Sequence, residues 1–456
     1  MNNRRSGVTH AAPGNQTDDL QDQPAGTLSQ PARKAIWGAF IGFFVDNYDI
    51  FLPVIALAPA ISYFIPRHNS PTMATMISAV IFATTLIGRP LGAFIFGHFA
   101  DTIGRKRTAV IAVTGFGVAT LLIALLPGYA HWGAPVIFIF IALRLIDGIF
   151  LGGEYTSASP LAMEYCPKPK RGLYGAVIQS AASLGVAAIS VVTFVVLFAV
   201  PARGPDAPYL RWGWRIPFLI GAIMAFGLAI YYYRSVEESE LWCKTAHTRS
   251  PVKEVFRDQN LWHFLQVFVV MSGFWLSLNA ALAVMPGLLI RQMRVTGPHL
   301  TFTLIIAYVV LAPVYVIGGA VSQRIGRRTY LMVTSAVSAV LGTLCYYRLL
   351  QTAPSNFPMI VLLVTLTTVL VVAPGALCTV YINERFQTGI RASGFGLGYS
   401  LAIILPAFFV FYQAALANLM PFKYTVLVLV LVGSILIFIG AALGPETKDV
   451  DFASTA

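Results

Sequence analysis

Long apolar runs, separated by short polar or basic segments, repeat along the whole chain. Many of the runs reach ~20 residues, the length that an α-helix needs to cross the hydrocarbon core of a bilayer. They lack the strict alternation that is typical of a membrane β-strand. The pattern predicts an all-α membrane protein whose twelve helices span roughly residues 35–60, 72–99, 108–127, 134–158, 172–200, 213–233, 262–290, 300–322, 329–350, 357–381, 392–417 and 423–443.

The composition agrees with a membrane protein. Of the 456 residues, 57% are hydrophobic and 11% are charged, whereas about a quarter of the residues in a soluble domain are charged. The net charge of +12 is not concentrated in a soluble domain. We therefore predict a lipid bilayer as the surroundings of the chain and no nucleic-acid partner.

The polar segments divide the chain and orient it. Residues 35–233 and 261–444 are predicted as two six-helix bundles, joined by a cytoplasmic loop at 234–260. Residues 1–34 are predicted as a disordered N-terminal tail, and 445–456 as a C-terminal tail. With both termini in the cytoplasm, the inner segments hold 21 Lys and Arg residues and the outer loops hold 8. This bias predicts a multi-pass protein of the plasma (inner) membrane with cytoplasmic termini.

A glycine-rich basic turn occurs twice. Gly97, Gly104 and Arg105 return 222 residues later in GGAVSQRIGRR, where Gln323 stands in place of Asp101. A second pair of segments, MEYCPKPKRG and INERFQTGIRAS, each places a Glu seven residues before an Arg. Repeated motifs in two six-span halves indicate a duplicated transporter that binds its substrate between the halves.

The motifs resemble a known family. GHFADTIGRKR (97–107) resembles the loop-two motif of the major facilitator superfamily, and RLIDGIFLGGEY (144–155) and the first-span segment FFVDNYDIF resemble its metabolite:proton symporter branch. Asn47 and Asp147 differ from the residues usual in that branch. The resemblance implies two pseudo-symmetric six-helix bundles, and its members import organic acids, shikimate-like compounds or zwitterions with protons.

Charged residues inside the spans are candidates for the transport site, because they are costly in a bilayer. At 1.5 Å per residue, Asp46 and Arg89 lie about 16 and 18 Å from the inner membrane face, and Arg144 lies about 15 Å from the outer face. All three are therefore near the middle of a ~30 Å core. We predict that Arg89 binds a substrate carboxylate, because a guanidinium stays charged and matches a carboxylate in shape. Alternatively, Arg89 only forms a structural pair with Asp46 or Asp49.

Four other residues are predicted to contact the substrate. Arg144 and Tyr48 belong to the first half, and Asn279 and Tyr308 to the second. Asn and Tyr offer hydrogen bonds without net charge. For the two second-half residues the alternative is packing or anchoring at the membrane interface.

Four acids are predicted to couple transport to protons. Asp46 and Asp49 are three residues apart, so they lie near one helix face, and their repulsion favours a proton on one of them. Asp147 lies one turn from Arg144, which resembles the family's span-four arginine that is linked with proton coupling. These two residues could also form a purely structural pair. Glu154 completes the set, with a network at the inner side as the alternative.

The inner ends of the spans carry a predicted cytoplasmic gate. Opposite charges there can tie the bundles together in one state and release them in the other. The predicted gate residues are Gly97, Asp101, Gly104, Arg105, Glu164 and Arg171.

The sequence therefore predicts a secondary transporter that imports a small organic anion, a carboxylate, by proton symport through alternating access. A proton-coupled importer of a betaine- or proline-type zwitterion, and an exporter or uniporter of the same fold, remain alternatives. The chain has no ATP-binding G-x-x-x-x-G-K-[ST] loop, which disfavours a primary pump. We predict a monomer that is not an enzyme and has no cofactor or metal site.

Overall fold

A computed structural model describes residues 28–66, 71–200, 207–244, 250–291, 293–295 and 297–452. Within these ranges the regular structure is helical and no β-strand occurs. Twelve helices among the described residues are long and apolar enough to cross a membrane, which confirms the predicted fold class. They are α1 (Gln30–Ala56), α2 (Val80–Thr102), α3 (Arg105–Ala124), α4 (Pro135–Tyr165), α5 (Lys168–Ala199), α6 (Tyr209–Ser235), α7 (Asp258–Leu289), α8 (His299–Ile325), α9 (Arg327–Gln351), α10 (Phe357–Arg385), α11 (Thr388–Leu416) and α12 (Phe422–Leu443).

The first helix of each half is irregular at a comparable place. In α1 the α-helix gives way to a π-helical turn at Leu52–Ala56, which contains Pro53. In α7 a π-helical turn occupies Asn279–Ala283. Such turns are rare and are often found at functional sites.

Helices α2 and α4 pack with almost no side chain between them. A Cβ atom at Gly148 of α4 would collide with the carbonyl oxygen of Thr85, and one at Gly152 would collide with that of Arg89. Small residues allow membrane helices to approach this closely. The contact fixes the backbone of α2 against α4, and with it the positions of Arg89 and Arg144.

Both ends of the described chain lie at one end of the bundle, which we call the terminal face. Near the start of α1, the Lys34 carbonyl accepts a hydrogen bond from Tyr231 close to the end of α6. At the other end of the chain, Phe452 packs against Arg171 and Arg391, at the starts of α5 and α11.

The predicted N-terminal tail, residues 1–34, extends too far into the chain. Helix α1 already begins at Gln30, and Ser29 Oγ accepts a hydrogen bond from the Ala32 N–H at 3.3 Å. A serine cap followed by Pro31 is a common helix start. Residues 1–27 of the predicted tail lie outside the described residues. The segment predicted as the central loop contains two short helices, Glu240–Lys244 and Pro251–Val255.

Candidate transport site and gate

A cavity of about 60 Å³ lies between the two halves. Helices α1, α2 and α5 line one wall, and α7, α8 and α11 line the other. One water molecule needs ~10–15 Å³ of such space, so the cavity holds several waters or part of a small ligand. Of the predicted substrate contacts, Arg89, Asn279 and Tyr308 lie on its wall.

Arg89 is paired on the cavity wall with an acid of α1. Its Nη1 and Nη2 donate to Asp46 Oδ1 and Oδ2 at 3.2 and 3.1 Å, and both side chains are almost completely buried. The guanidinium carbon also lies 5.9 Å from the ring centroid of Tyr399, in the other half. A substrate carboxylate has the same shape as the Asp46 carboxylate, so the two would compete for one fork of donors.

The structure places Arg144 and Tyr48 away from the cavity. Tyr48 is 1% exposed, and its hydroxyl donates to the Pro217 carbonyl at 3.0 Å. Arg144 Nε donates to Thr85 Oγ1 at 2.8 Å, and its Nη1 lies 3.1 Å from an oxygen of Asp49. The polar groups of both side chains have partners inside the first half. Neither residue fits the predicted role of substrate contact in this conformation.

Arg144 is shared by two carboxylates. Its Nη1 lies 3.1 Å from Asp49 Oδ2 and 3.0 Å from Asp147 Oδ2. The Thr120 hydroxyl donates to Asp49 Oδ1 at 2.6 Å and lies 3.5 Å from Asp147 Oδ1. The cluster is fully buried and contains one carboxylate more than it has guanidinium groups. A proton on either acid would make the cluster neutral, which favours its use as a proton site.

Glu154 is another buried acid of the first half, with 0% exposure. Its Oε1 accepts a hydrogen bond from the Tyr232 hydroxyl at 3.2 Å. Its Oε2 has no hydrogen-bond partner in the described part of the chain. The alternative to a proton-coupling role, a network with basic loops at the inner side, does not form around Glu154 among the described residues.

At the terminal face, Asp101 binds the start of a helix in the other half. Its two oxygens accept hydrogen bonds from the Ala392 and Ser393 N–H groups at 3.2 and 2.8 Å. A carboxylate is favourable there because the first amides of a helix lack intrahelical acceptors. Gly97, one helical turn earlier, permits this approach, since a Cβ atom would lie 3.1 Å from the Ser393 Cα.

Glu164 joins arginines from both halves. Arg105 of α3 and Arg391 of α11 each donate to one of its oxygens. Arg105 Nη2 also donates to the Thr388 carbonyl across the interface at 2.9 Å. Arg171 was predicted for this gate, but its Nη1 donates to the Val450 carbonyl at 2.9 Å. The prediction did not include Arg391, which bonds to Glu164 from the opposite half.

The sequence profile of the Major Facilitator Superfamily matches residues 39–314, which is more than half of the chain. The chain belongs to the major facilitator superfamily. It is thus a multi-pass membrane transporter of small molecules. The profile described as Sugar (and other) transporter matches residues 236–456.

Several curated relatives of this major facilitator are bacterial transport proteins. The chain is 29% identical to the inner membrane metabolite transport protein YhjE of Escherichia coli K12 over 397 residues, which are 84% of this chain and 87% of YhjE. It is 34% identical to the shikimate transporter of the same strain over 232 residues, about half of each chain. A solved structure of the proton:xylose symporter XylE, 17% identical, superposes with a TM-score of 0.74 over 93% of this chain and 99% of that one.

The transporter's two halves repeat the gate chemistry. In the second half, Arg327 Nε and Nη2 lie 3.3 Å from the two oxygens of Glu384, as Arg105 pairs with Glu164 in the first half. Gln323 Oε1 accepts a hydrogen bond from the Gly172 N–H of the other half at 3.1 Å. Gln323 therefore accepts a hydrogen bond from the start of α5, as Asp101 does from the start of α11, but its side chain is uncharged.

The glycine turns before α3 and α9 are also equivalent. Gly104 and Gly326 have φ angles of 111° and 97°, which favour glycine. Beside each turn a carboxylate accepts hydrogen bonds from the first amides of the next helix: Glu238 from Arg105 and Lys106, and Glu446 from Arg327 and Arg328. These acids hold the starts of α3 and α9 in place at the terminal face.

Phe452 sits between the two halves of the transporter. The guanidinium carbons of Arg171 and Arg391 lie 3.6 and 3.8 Å from its ring centroid. Thr388 Oγ1 donates to its carbonyl at 3.3 Å, and the side chain is 3% exposed. The ring thereby links an arginine of each half when the terminal face is closed.

Phe452→Ala is expected to weaken closure of the terminal face by about 2 kcal/mol, from lost packing and cation–π contact. The measurement uses spin labels at Arg107 and Thr329, exposed sites on opposite halves, in a Cys243→Ser, Cys345→Ser background. Phe452→Ala is expected to shift the distances between these labels to longer values. The matched control is Phe422→Ala, whose ring is 53% exposed. An unchanged distribution for Phe452→Ala would rule out this role of the ring.

One polar network across the halves was missed by sequence reasoning. Gln179 Oε1 accepts hydrogen bonds from Tyr155 and Thr379 at 3.2 and 3.1 Å, and the Tyr155 and Thr379 hydroxyls lie 2.8 Å apart. Gln179 also lines the cavity. A lone Gln in an otherwise apolar run was the available indication.

Among the described residues no cluster of three or more His, Cys, Asp or Glu side chains could hold a metal ion.

Proposed function

We propose that this transporter imports a small organic anion together with protons, by alternating access. The observation that carries the proposal is the Arg89–Asp46 pair on the wall of the cavity between the halves. The pair is neutral, so an added anion would leave one uncompensated negative charge in a buried site, which is costly. A proton on Asp46 removes that charge and frees the guanidinium for the incoming carboxylate.

The cluster around Arg144 supplies a second place for a proton. It is separate from the cavity lining and holds one carboxylate in excess. Because Asp49 lies one helical turn from Asp46, a change of charge at one acid alters the electrostatic field at the other. Asp46, Asp49, Asp147 and Glu154 are thus the proposed proton-carrying groups, and Asp46 is the one that competes with substrate.

We further propose that residues 35–233 and 261–444 rock against each other as a monomer in the inner membrane. The terminal face is then the cytoplasmic face. The excess of Lys and Arg in the segments on that side supports this orientation. The name of the shikimate transporter, a relative at 34% identity over half of the chain, supports an organic anion as cargo.

Uptake into proteoliposomes tests the proposal. Radiolabelled shikimate, benzoate, succinate, citrate and glycine betaine would be offered with and without an inward proton gradient. We expect at least one carboxylate to accumulate above its external concentration only when the gradient is present. Downhill movement alone would refute symport, and accumulation of betaine without any carboxylate would refute the anionic cargo.

Asp46→Asn is expected to make anion binding independent of pH. In the wild type, the ionised Asp46 occupies Arg89 and repels the substrate, so affinity falls as pH rises, by up to about tenfold per unit. Asn carries no charge at any pH, so Arg89 stays available. Binding measured by calorimetry from pH 5 to 8 would show a flat profile for the variant. Glu254→Gln, at a partly exposed surface acid, is the control that should keep the slope.

A further inference from the structure

The cavity contains a single ionisable charge on its wall. Among the described residues that line it, Arg89 is the one charged side chain, and none is Lys, His, Asp or Glu. The next acids, Asp46 and Glu154, lie behind the wall and outside the lining. Each further charge on a substrate would therefore meet neither a cation nor an acid at the cavity surface.

Aromatic rings form much of the remaining wall. Phe43, Phe51 and Phe82 come from the first half, and Phe274 and Trp275 from the second. The Trp275 indole N–H already donates to the Tyr399 carbonyl at 2.9 Å. The polar edge of the indole is thus engaged, so its contribution to a ligand is the apolar ring surface. Rings of this kind stack on planar or compact apolar groups.

We infer that the substrate is a monocarboxylate with a ring, such as an aromatic or cyclohexane carboxylic acid; this inference rests on the proposed function. One carboxylate on Arg89 and one proton on Asp46 leave the site neutral. A dicarboxylate or tricarboxylate would leave at least one buried negative charge without a partner, which disfavours binding. The ring of the substrate would lie among the phenylalanines and Trp275.

Two tyrosines of the cavity lining indicate that polar groups on the substrate ring are tolerated. Tyr308 and Tyr315 are among the residues that line the cavity. A phenol hydroxyl both donates and accepts. Ring hydroxyls on the substrate would exchange hydrogen bonds with these phenols, so a hydroxylated ring acid should bind at least as well as the bare ring acid.

Competition binding in detergent, followed by uptake, tests the inference. The probes are benzoate, 3,4-dihydroxybenzoate and cyclohexanecarboxylate, against acetate, succinate, citrate and glycine betaine. We expect the three ring monocarboxylates to bind at least about tenfold more tightly than the others. Trp275→Leu should lower affinity for benzoate several-fold while leaving that for acetate unchanged, which separates ring recognition from recognition of the carboxylate.

The outcomes distinguish this inference from the proposed function. If succinate or citrate accumulates with the proton gradient and the ring acids do not, the inference fails and anion symport stands. If a ring monocarboxylate binds but moves only downhill, the substrate class stands and the proton coupling fails. If betaine binds best, or if Trp275→Leu lowers benzoate and acetate affinity equally, the inference is overturned.

Discussion

Arg89→Gln is expected to lower the initial rate of anion uptake about 100-fold or more. The variant removes a two-point, charge-assisted contact worth ~3 kcal/mol, and each 1.4 kcal/mol corresponds to about a factor of ten. Gln can offer neither the charge nor the planar fork. Arg89→Lys keeps the charge without the fork and should retain an intermediate rate. Uptake into proteoliposomes, normalised to reconstituted protein, measures the effect.

A second variant distinguishes a loss of transport from a loss of folding. Arg89→Gln alone leaves Asp46 buried and unpaired, which costs about 3–5 kcal/mol of stability. Arg89→Gln combined with Asp46→Asn restores neutrality and should fold, yet remain inactive. Arg257→Gln, at a side chain that is 67% exposed, should transport normally. A folded double variant that still takes up the anion would remove Arg89 from the site.

Glu164→Gln is expected to open the terminal face for most of the population. The neutral amide cannot balance Arg105 and Arg391, which then face each other without their shared acid. Loss of one member of a buried ionic group costs about 3–5 kcal/mol, enough to reverse a two-state equilibrium. The spin-label pair at Arg107 and Thr329 would shift to long distances, and uptake would fall because the terminal face would seldom close.

Glu384→Gln provides a matched comparison for this gate. Glu384 has the same chemistry, but its hydrogen-bond partners Arg327 and Thr447 both belong to the second half of the chain. Its loss should lower thermal stability by a similar amount without changing the distance between labels on opposite halves. Equal opening by both variants would show that general destabilisation, and not the bond across the halves, controls the gate.

The periodicity of the sequence was sufficient to predict the helices of this fold. Twelve apolar runs correspond to twelve spans, with errors confined to the ends, as at Gln30. The duplicated glycine turn was equally informative, because Gly104 and Gly326 both adopt a backbone conformation that favours glycine. These features depend on local chemistry, which sequence spacing reports directly.

Contacts across the halves were harder to predict. The predicted gate included Arg171 but not Arg391, which bonds to Glu164 from 227 residues away. Both arginines start equivalent helices, so local sequence could not reveal which one crosses the interface. The rotation of α1 about its own axis was hard to predict for a related reason. Asp46 and Asp49 project from α1 in neighbouring but different directions. Asp46 therefore pairs with Arg89, and Asp49 pairs with Arg144.

The hydrogen bonds from the Ala392 and Ser393 amides to Asp101 allow opening of the terminal face to be measured without an attached label. Amide hydrogens in the first turn of a helix have no carbonyl acceptor of their own, so their protection from solvent exchange depends on a partner elsewhere. Here that partner belongs to the opposite half. Deuterium uptake at these two amides would therefore rise with the fraction of time that the halves spend apart at this face. Exchange mass spectrometry on unmodified protein in lipid could follow that fraction as substrate or acid is added.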